Sequence, residues 1–145
     1  MSQRQHPDLG DLGERLRSLS HKLTGPRQSI LEVLRKNPHP LANKQIHAAL
    51  PSGECDLGTV YRSMRLLEQA GIVKRFDFGD GLARYELLRE GDDGHHHHLV
   101  CNRCASVVEI EECLAGELEA RIARNSGFQA VTHRLEFFGV CPACQ

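Results

Sequence analysis

Two pairs of cysteines, Cys101/Cys104 and Cys141/Cys144, each enclose two residues, and a run of four histidines, His95 to His98, stands just ahead of the first pair. At that spacing both thiolates of a pair can turn onto one ion. Two such knuckles complete a tetrahedral sulfur site suited to a structural Zn²⁺. A dithiol redox centre would need one such motif, not two. The thiols are expected to stay reduced, because the opening Met-Ser-Gln-Arg-Gln-His lacks the apolar core of a secretory signal. No apolar run approaches the roughly 18 residues of a membrane span. The reading is therefore of a cytoplasmic protein with no membrane partner. Cys55 and Cys113 have no partner at ligand spacing and read as ordinary buried or surface thiols.

The histidine run gives a second kind of chemistry. If it is a strand, successive side chains point to opposite faces, so His96 and His98 share one face and His95 and His97 the other. One strand can then serve two metal sites, with His39, Glu86, Glu109 and His133 as candidates for the remaining ligands. Imidazole with carboxylate suits a borderline divalent ion such as Fe²⁺, Zn²⁺, Mn²⁺ or Co²⁺ and does not select among them. His6, His21 and His47 read as solvated or structural. No His-Glu-x-x-His and no Ser/His/Asp arrangement is present, and every proposed ligand is used in a closed site, so the chain does not read as an enzyme. A metalloenzyme or metal-storage protein is the alternative from a different class.

These groups need elements to carry them. In the first half, residues 8–20 are weakly amphipathic, with Leu12, Leu16 and Leu19 at helical spacing, and PRQSILEVLRKN is a clearer helix whose Ile30, Leu31 and Leu34 form one stripe. ANKQIHAAL is a third helix. A fourth runs from the N-cap Asp56 to Gly71, with Leu57, Val60, Met64 and Leu67 facing a core. Two strand-like runs then flank Gly79-Asp80-Gly81, a hairpin signal. Helix, turn, helix and hairpin make up a winged helix, whose helix after the turn enters the DNA major groove. On that helix Thr59, Tyr61, Arg62 and Arg65 lie off the core stripe and suit phosphates or guanine edges; Lys22 and Arg27 are added to the DNA-facing set. The second half reads as strands HHHHLVC, ASVVEIE and FQAVTHRLEFFGV with a helix over 112–126. The fold class is α+β: a winged-helix domain (1–88), a hinge (89–94) and a small α/β domain (95–145).

Charge follows the same division. The chain carries 18 Lys+Arg and 19 Asp+Glu, a net charge of −1 over 145 residues. Residues 1–89 hold 14 basic and 10 acidic residues, and 90–145 hold 4 and 9. A basic half beside an acidic half implies different partners, with an anionic one for the first. Forty per cent hydrophobic and 26% charged residues exclude a disordered chain.

In LTGPRQSILEVL, DLGTVYRSMRLLEQAGIVKRF, HHHHLVCNRC and HRLEFFGVCPAC the chain resembles the ferric uptake regulator family over nearly its whole length. The resemblance implies a homodimer with N-terminal winged helices and a C-terminal dimerisation domain, which binds a palindromic operator when loaded with metal. It implies a structural zinc at Cys101, Cys104, Cys141 and Cys144, and a regulatory site of His39, Glu86, His96, His98 and Glu109. A third site would use His95, His97 and His133. The family's acid there aligns with Gly116, so Glu117 or Glu112 is expected to substitute. The wing carries Tyr85-Glu86-Leu87-Leu88 where many zinc-uptake regulators place a cysteine, and glutamates where peroxide sensors commonly have aspartates. That pattern favours an iron-responsive repressor ahead of a zinc-, peroxide- or manganese-responsive one.

Overall fold

A computed structural model of the chain describes residues 7–89, 95–110, 112–113 and 115–145. Residues 90–94 of the expected hinge, and His6, lie outside the described residues. The chain divides into two compact units, Met1–Gly94 and His95–Gln145. Among the described residues no helix is long and apolar enough to cross a membrane.

The first unit orders its elements as α1 (Leu9–Ser18), α2 (Gly25–Lys36), β1 (Leu41–Ala42), α3 (Asn43–Ala49), α4 (Leu57–Gln69), β2 (Val73–Asp77) and β3 (Ala83–Leu87). Pro26 falls in the first turn of α2, where its missing N–H costs nothing. Asp56 caps α4, its Oδ1 accepting the Thr59 N–H at 2.7 Å, and those bonds hold its carboxyl below the usual range. Each helix buries one stripe: Leu12 and Leu16, then Ile30, Leu31 and Leu34, then Ile46, then Val60, Met64 and Leu67. Leu57 packs partly buried against that cluster. Leu19 departs from the expected stripe. It lies past the end of α1 and is exposed.

The strands close the unit as an antiparallel sheet of order β1-β3-β2, with Leu41 opposite Tyr85 and Val73 opposite Leu87. The hairpin turn between β2 and β3 bends at Gly79 and Gly81, whose φ of +79° and +76° an L side chain rarely adopts. Asp77 and Asp80 fix it by accepting the N–H groups of Gly79 and Leu82. Asp80 also receives the buried Arg84 guanidinium at 2.7 Å, and that contact holds its carboxyl below the usual range.

The second unit consists of β4 (His97–Cys101), β5 (Val107–Ile110), α5 (Gly116–Ser126), β6 (Glu136–Gly139) and a short 3₁₀ turn, Pro142–Cys144. Its sheet has the order β5-β4-β6, antiparallel on the β5 side and parallel on the β6 side. Two elements differ from expectation. The helix begins at Gly116 rather than 112; Glu112 and Cys113 stand outside regular secondary structure, and Cys113 is drawn instead to the rings of His95 and His133. The third strand is confined to Glu136–Gly139, the only stretch that pairs with β4, and Ala130 breaks the extended run at φ +51°.

The packing of α4 carries a measurable consequence. Leu67 is fully buried, so Leu67→Ala should destabilise the first unit by roughly 2–5 kcal/mol. Leu19→Ala should stay within about 0.5 kcal/mol. Urea unfolding followed by circular dichroism checks both, and equal effects would contradict the assigned core.

Candidate metal centres and nucleic-acid face

Four features of the described chain can do chemistry: a cluster of four cysteines, a cluster of three histidines with a fifth cysteine, the His96 and His98 pair opposite Glu109, and the outer face of α4. The knuckles are built by the ends of β4 and β6. Cys101 ends β4, the chain turns tightly at Ala105 (φ +60°), and the Ala105 N–H returns to the Cys101 carbonyl at 2.9 Å. Asn102 N–H reaches the Gly139 carbonyl at 2.8 Å, which places the second knuckle beside the first. The ligand atoms of Cys101, Cys104, Cys141 and Cys144 all lie within 4.8 Å of one another, and the Cys104 and Cys141 sulfurs are 3.6 Å apart. Thiolates about 2.3 Å from one tetrahedral ion would be separated by nearly that distance.

The electrostatics of the four sulfurs also fit a cation. Backbone N–H groups, first that of Cys141 and also that of Arg103, point at Cys101 Sγ at 3.3 and 3.4 Å and bring its pKa down to about 6. The Ser106 hydroxyl, 3.2 Å away, lowers that of Cys104. The Cys144 thiol, hydrogen-bonded to the sulfurs of Cys141 and Cys104, is pushed up to about 12. Without a cation, four sulfurs this close cannot all ionise; with one, they can.

Alternation along β4 sends the other ligands to opposite faces. His98 stands opposite Glu109 of β5 in the antiparallel register, and the ring of His96 meets that of His98 edge-on at 4.9 Å. Three of the five expected regulatory ligands thus belong to the second unit: the His96 and His98 rings meet, while Glu109 shares only the register position and its carboxylate is not among the ligand atoms grouped within 4.8 Å of theirs. The other two belong to the first unit: Glu86 is buried in β3, and His39 is exposed after α2.

On the opposite face, His95, His97 and His133 come together with Cys113. His95 Nε2 is 3.2 Å from Cys113 Sγ, His133 Nε2 is 3.4 Å from it, and the Nε2 atoms of His97 and His133 are 3.2 Å apart. His97 Nδ1 donates to the Leu135 carbonyl at 3.2 Å, and His133 Nδ1 to Glu119 Oε1 at 2.5 Å. Burial pushes the pKa of His97 down, keeping it neutral. Neither expected acid joins the set. Glu117 lies on the exposed side of α5 beside Arg121 and Arg124, and Glu112 is exposed. Cys113, read from its spacing as an ordinary thiol, stands in their place. The available signal was the combination of three histidines at third-site spacing with a missing acid.

Helix α4 buries Val60, Met64 and Leu67 and turns Tyr61, Arg62 and Arg65 to solvent, Tyr61 being 51% exposed. Arg62 is held along the helix by Thr59 Oγ1 at 3.0 Å. Lys22 is exposed, and its carbonyl accepts a bond from the half-buried Arg27. These six residues belong to the first unit.

Comparison with known proteins agrees with this arrangement. A family model described as the ferric uptake regulator family matches residues 18–138. The ferric uptake regulation protein of Bacillus subtilis is 40% identical over 134 residues, 90% of each chain. The crystal structure of the Vibrio cholerae ferric uptake regulator superimposes with a TM-score of 0.77 at 32% identity, covering 90% of this chain and 100% of that one. A zinc-bound manganese uptake regulator gives 0.75 at 32% identity, covering 90% and 98%. The chain belongs to the ferric uptake regulator family, whose members are metal-dependent, DNA-binding transcription regulators and not enzymes.

Proposed function

We propose that this protein is an iron-responsive repressor that binds a palindromic DNA operator as a homodimer. The observation that carries the reading is the division of labour on α4: one face is locked into the core while Tyr61, Arg62 and Arg65 stand outward, within residues 1–89 that hold 14 basic and 10 acidic residues. A helix so held presents its side chains to the major groove without having to order them first, and guanidinium groups there suit phosphates and guanine edges.

The structural ion is assigned to Cys101, Cys104, Cys141 and Cys144, whose four sulfurs suit zinc. The regulatory ion is assigned to His96, His98 and Glu109 with His39 and Glu86. When bound, it supplies positive charge and a fixed coordination geometry. The chain's own residues do the rest: two ligands precede residues 90–94 and three follow, so shared ligation favours one relation between the units. A two-fold operator demands a fixed spacing of its two reading helices, and metal then acts through its higher affinity for the DNA-competent state. The homodimer is assigned to the second unit, which exposes Val108, Phe137, Phe138 and Val140 on or beside its sheet. Iron is favoured by the carboxylate ligands and by the ferric uptake function named for the B. subtilis and V. cholerae relatives. The cytoplasm follows from a DNA target.

Three outcomes test this. In a gel shift on an A/T-rich palindromic duplex, Fe²⁺ should tighten binding, and Arg62→Ala and Arg65→Ala should each weaken it and reduce the salt slope by about 1. Binding that no divalent ion alters at any salt concentration would end the repressor reading. His98→Ala should keep the dimer and its cysteine-bound zinc, read by light scattering and metal analysis, yet lose the metal response. Cys141→Ser should release that zinc and lower the melting temperature of the second unit, since small domains lean on their metal; unchanged zinc content and melting would refute the assignment.

A further inference from the structure

We propose that Cys113 takes the place of the family's acid at the His95, His97 and His133 set that the resemblance already implies, making it a tetrahedral zinc site with one thiolate ligand, and that Glu119 is the group that orients His133. This concerns the second unit alone, and it stands or falls apart from the regulatory reading.

Hydrogen bonding orients the ligands. His97 and His133 each turn Nδ1 outward, one toward the Leu135 carbonyl and the other toward the Glu119 carboxylate. Their Nε2 atoms are thereby turned inward, 3.2 Å from each other, and that of His133 lies 3.4 Å from Cys113 Sγ. Ring nitrogens converging with a thiol in this way are the geometry of a ligand set. The outward bonds are also the arrangement that fixes a ligating imidazole in its tautomer and orientation.

The fourth corner decides the metal. A zinc ion with bonds of about 2.0 Å to nitrogen and 2.3 Å to sulfur separates its ligand atoms by roughly 3.3–3.7 Å. The sulfur-to-nitrogen distances here are 3.2 and 3.4 Å, and all four ligand atoms lie within 4.8 Å of one another. Three imidazoles and a thiolate form a softer set than imidazoles with a carboxylate. Such a set favours zinc over manganese or ferrous iron. Glu119 completes the charge balance: a dication with one thiolate leaves one positive charge, and the carboxylate on His133 offsets it.

Cobalt is the probe, because a thiolate on tetrahedral Co²⁺ gives a sulfur-to-metal charge-transfer band that nitrogen and oxygen ligands do not. The full-length protein is first loaded with zinc at the four-cysteine cluster and then titrated with Co²⁺. The native chain should develop the band, and Zn²⁺ but not Mn²⁺ should bleach it. Cys113→Ser should lose the band while keeping its cysteine-bound zinc and its melting temperature, and His133→Ala should lose it as well. Glu119→Gln should weaken the affinity by roughly 10–100-fold without moving the band, as expected of a positioning residue. A band that persists in Cys113→Ser would show that the thiolate comes from the four-cysteine cluster. No band in the native chain would show that the histidines share a proton instead of a metal. Either result overturns the proposal.

Discussion

Strand β4 bears the second unit. Among the described strands of its sheet it alone has a partner on each side, and its period of two sends His97 to one face and His98 to the other. Its last residue, Cys101, opens the first knuckle. A single strand, His97–Cys101, therefore contributes to three separate candidate ligand sets, and its register fixes all of them together. A slip by one residue against β5 would exchange the two histidine faces and part His98 from Glu109. The hydrogen bonds of a central strand make that slip costly, which allows chemistry this dense to stay in place.

The same unit has very little else to hold it. Of its described residues only His97, His98, Val100, Cys101, Val107 and Ala115 are buried, and α5 buries none. Half of the buried side chains are thus metal-ligand types rather than hydrocarbon. Burial at about 25 cal/mol per Å² cannot offset the ordering of a chain of this length on so small a core. Coordination at the knuckles, and cover over the exposed apolar residues Val108, Phe137 and Phe138 in the proposed dimer, would supply what the interior does not. The first unit is the opposite case. Its helices and wing surround a continuous core of fully buried aliphatic residues, so its recognition face owes nothing to a metal for its local shape.

Legibility from sequence followed the range of the interactions. The stripe of α4, the Asp56 cap and the turn at Gly79 and Gly81 are set within a few residues, and they were readable from spacing alone. The four-cysteine cluster was readable for the same reason, since each knuckle is local and only their meeting is long-range. Cys113 was not. Helical periodicity over 112–126 absorbs it into a helix, whereas in the fold the backbone there is irregular, and its neighbours His95 and His133 lie 18 and 20 residues away in the chain. Likewise the alternating pattern of 128–140 predicts a long strand, but pairing with β4 is available only to its last third. Pattern records which residues are able to extend, and partners decide which of them do.

Ligand charge gives the three metal assignments their physical order. Four thiolates around a dication leave two negative charges, which the Arg103 side chain, bonded to the Cys144 carbonyl, stands close enough to moderate. That set is strongly attractive to a cation and suits an ion that never leaves. Three imidazoles with Cys113 and the nearby Glu119 balance a dication evenly, so the proposed fourth-corner thiolate makes an intermediate site. In the proposed regulatory set, His96, His98 and Glu109 follow residues 90–94 in the chain and His39 and Glu86 precede them, so occupancy by one ion would also have to cover the ordering of two units. Part of the binding energy of such a set would go into that ordering, which would weaken the apparent affinity and make it respond to metal concentration. On the proposed assignments a structural ion and a sensed ion would coexist on one chain, because the former would meet its ligands within a single unit and the latter would have to bring two together.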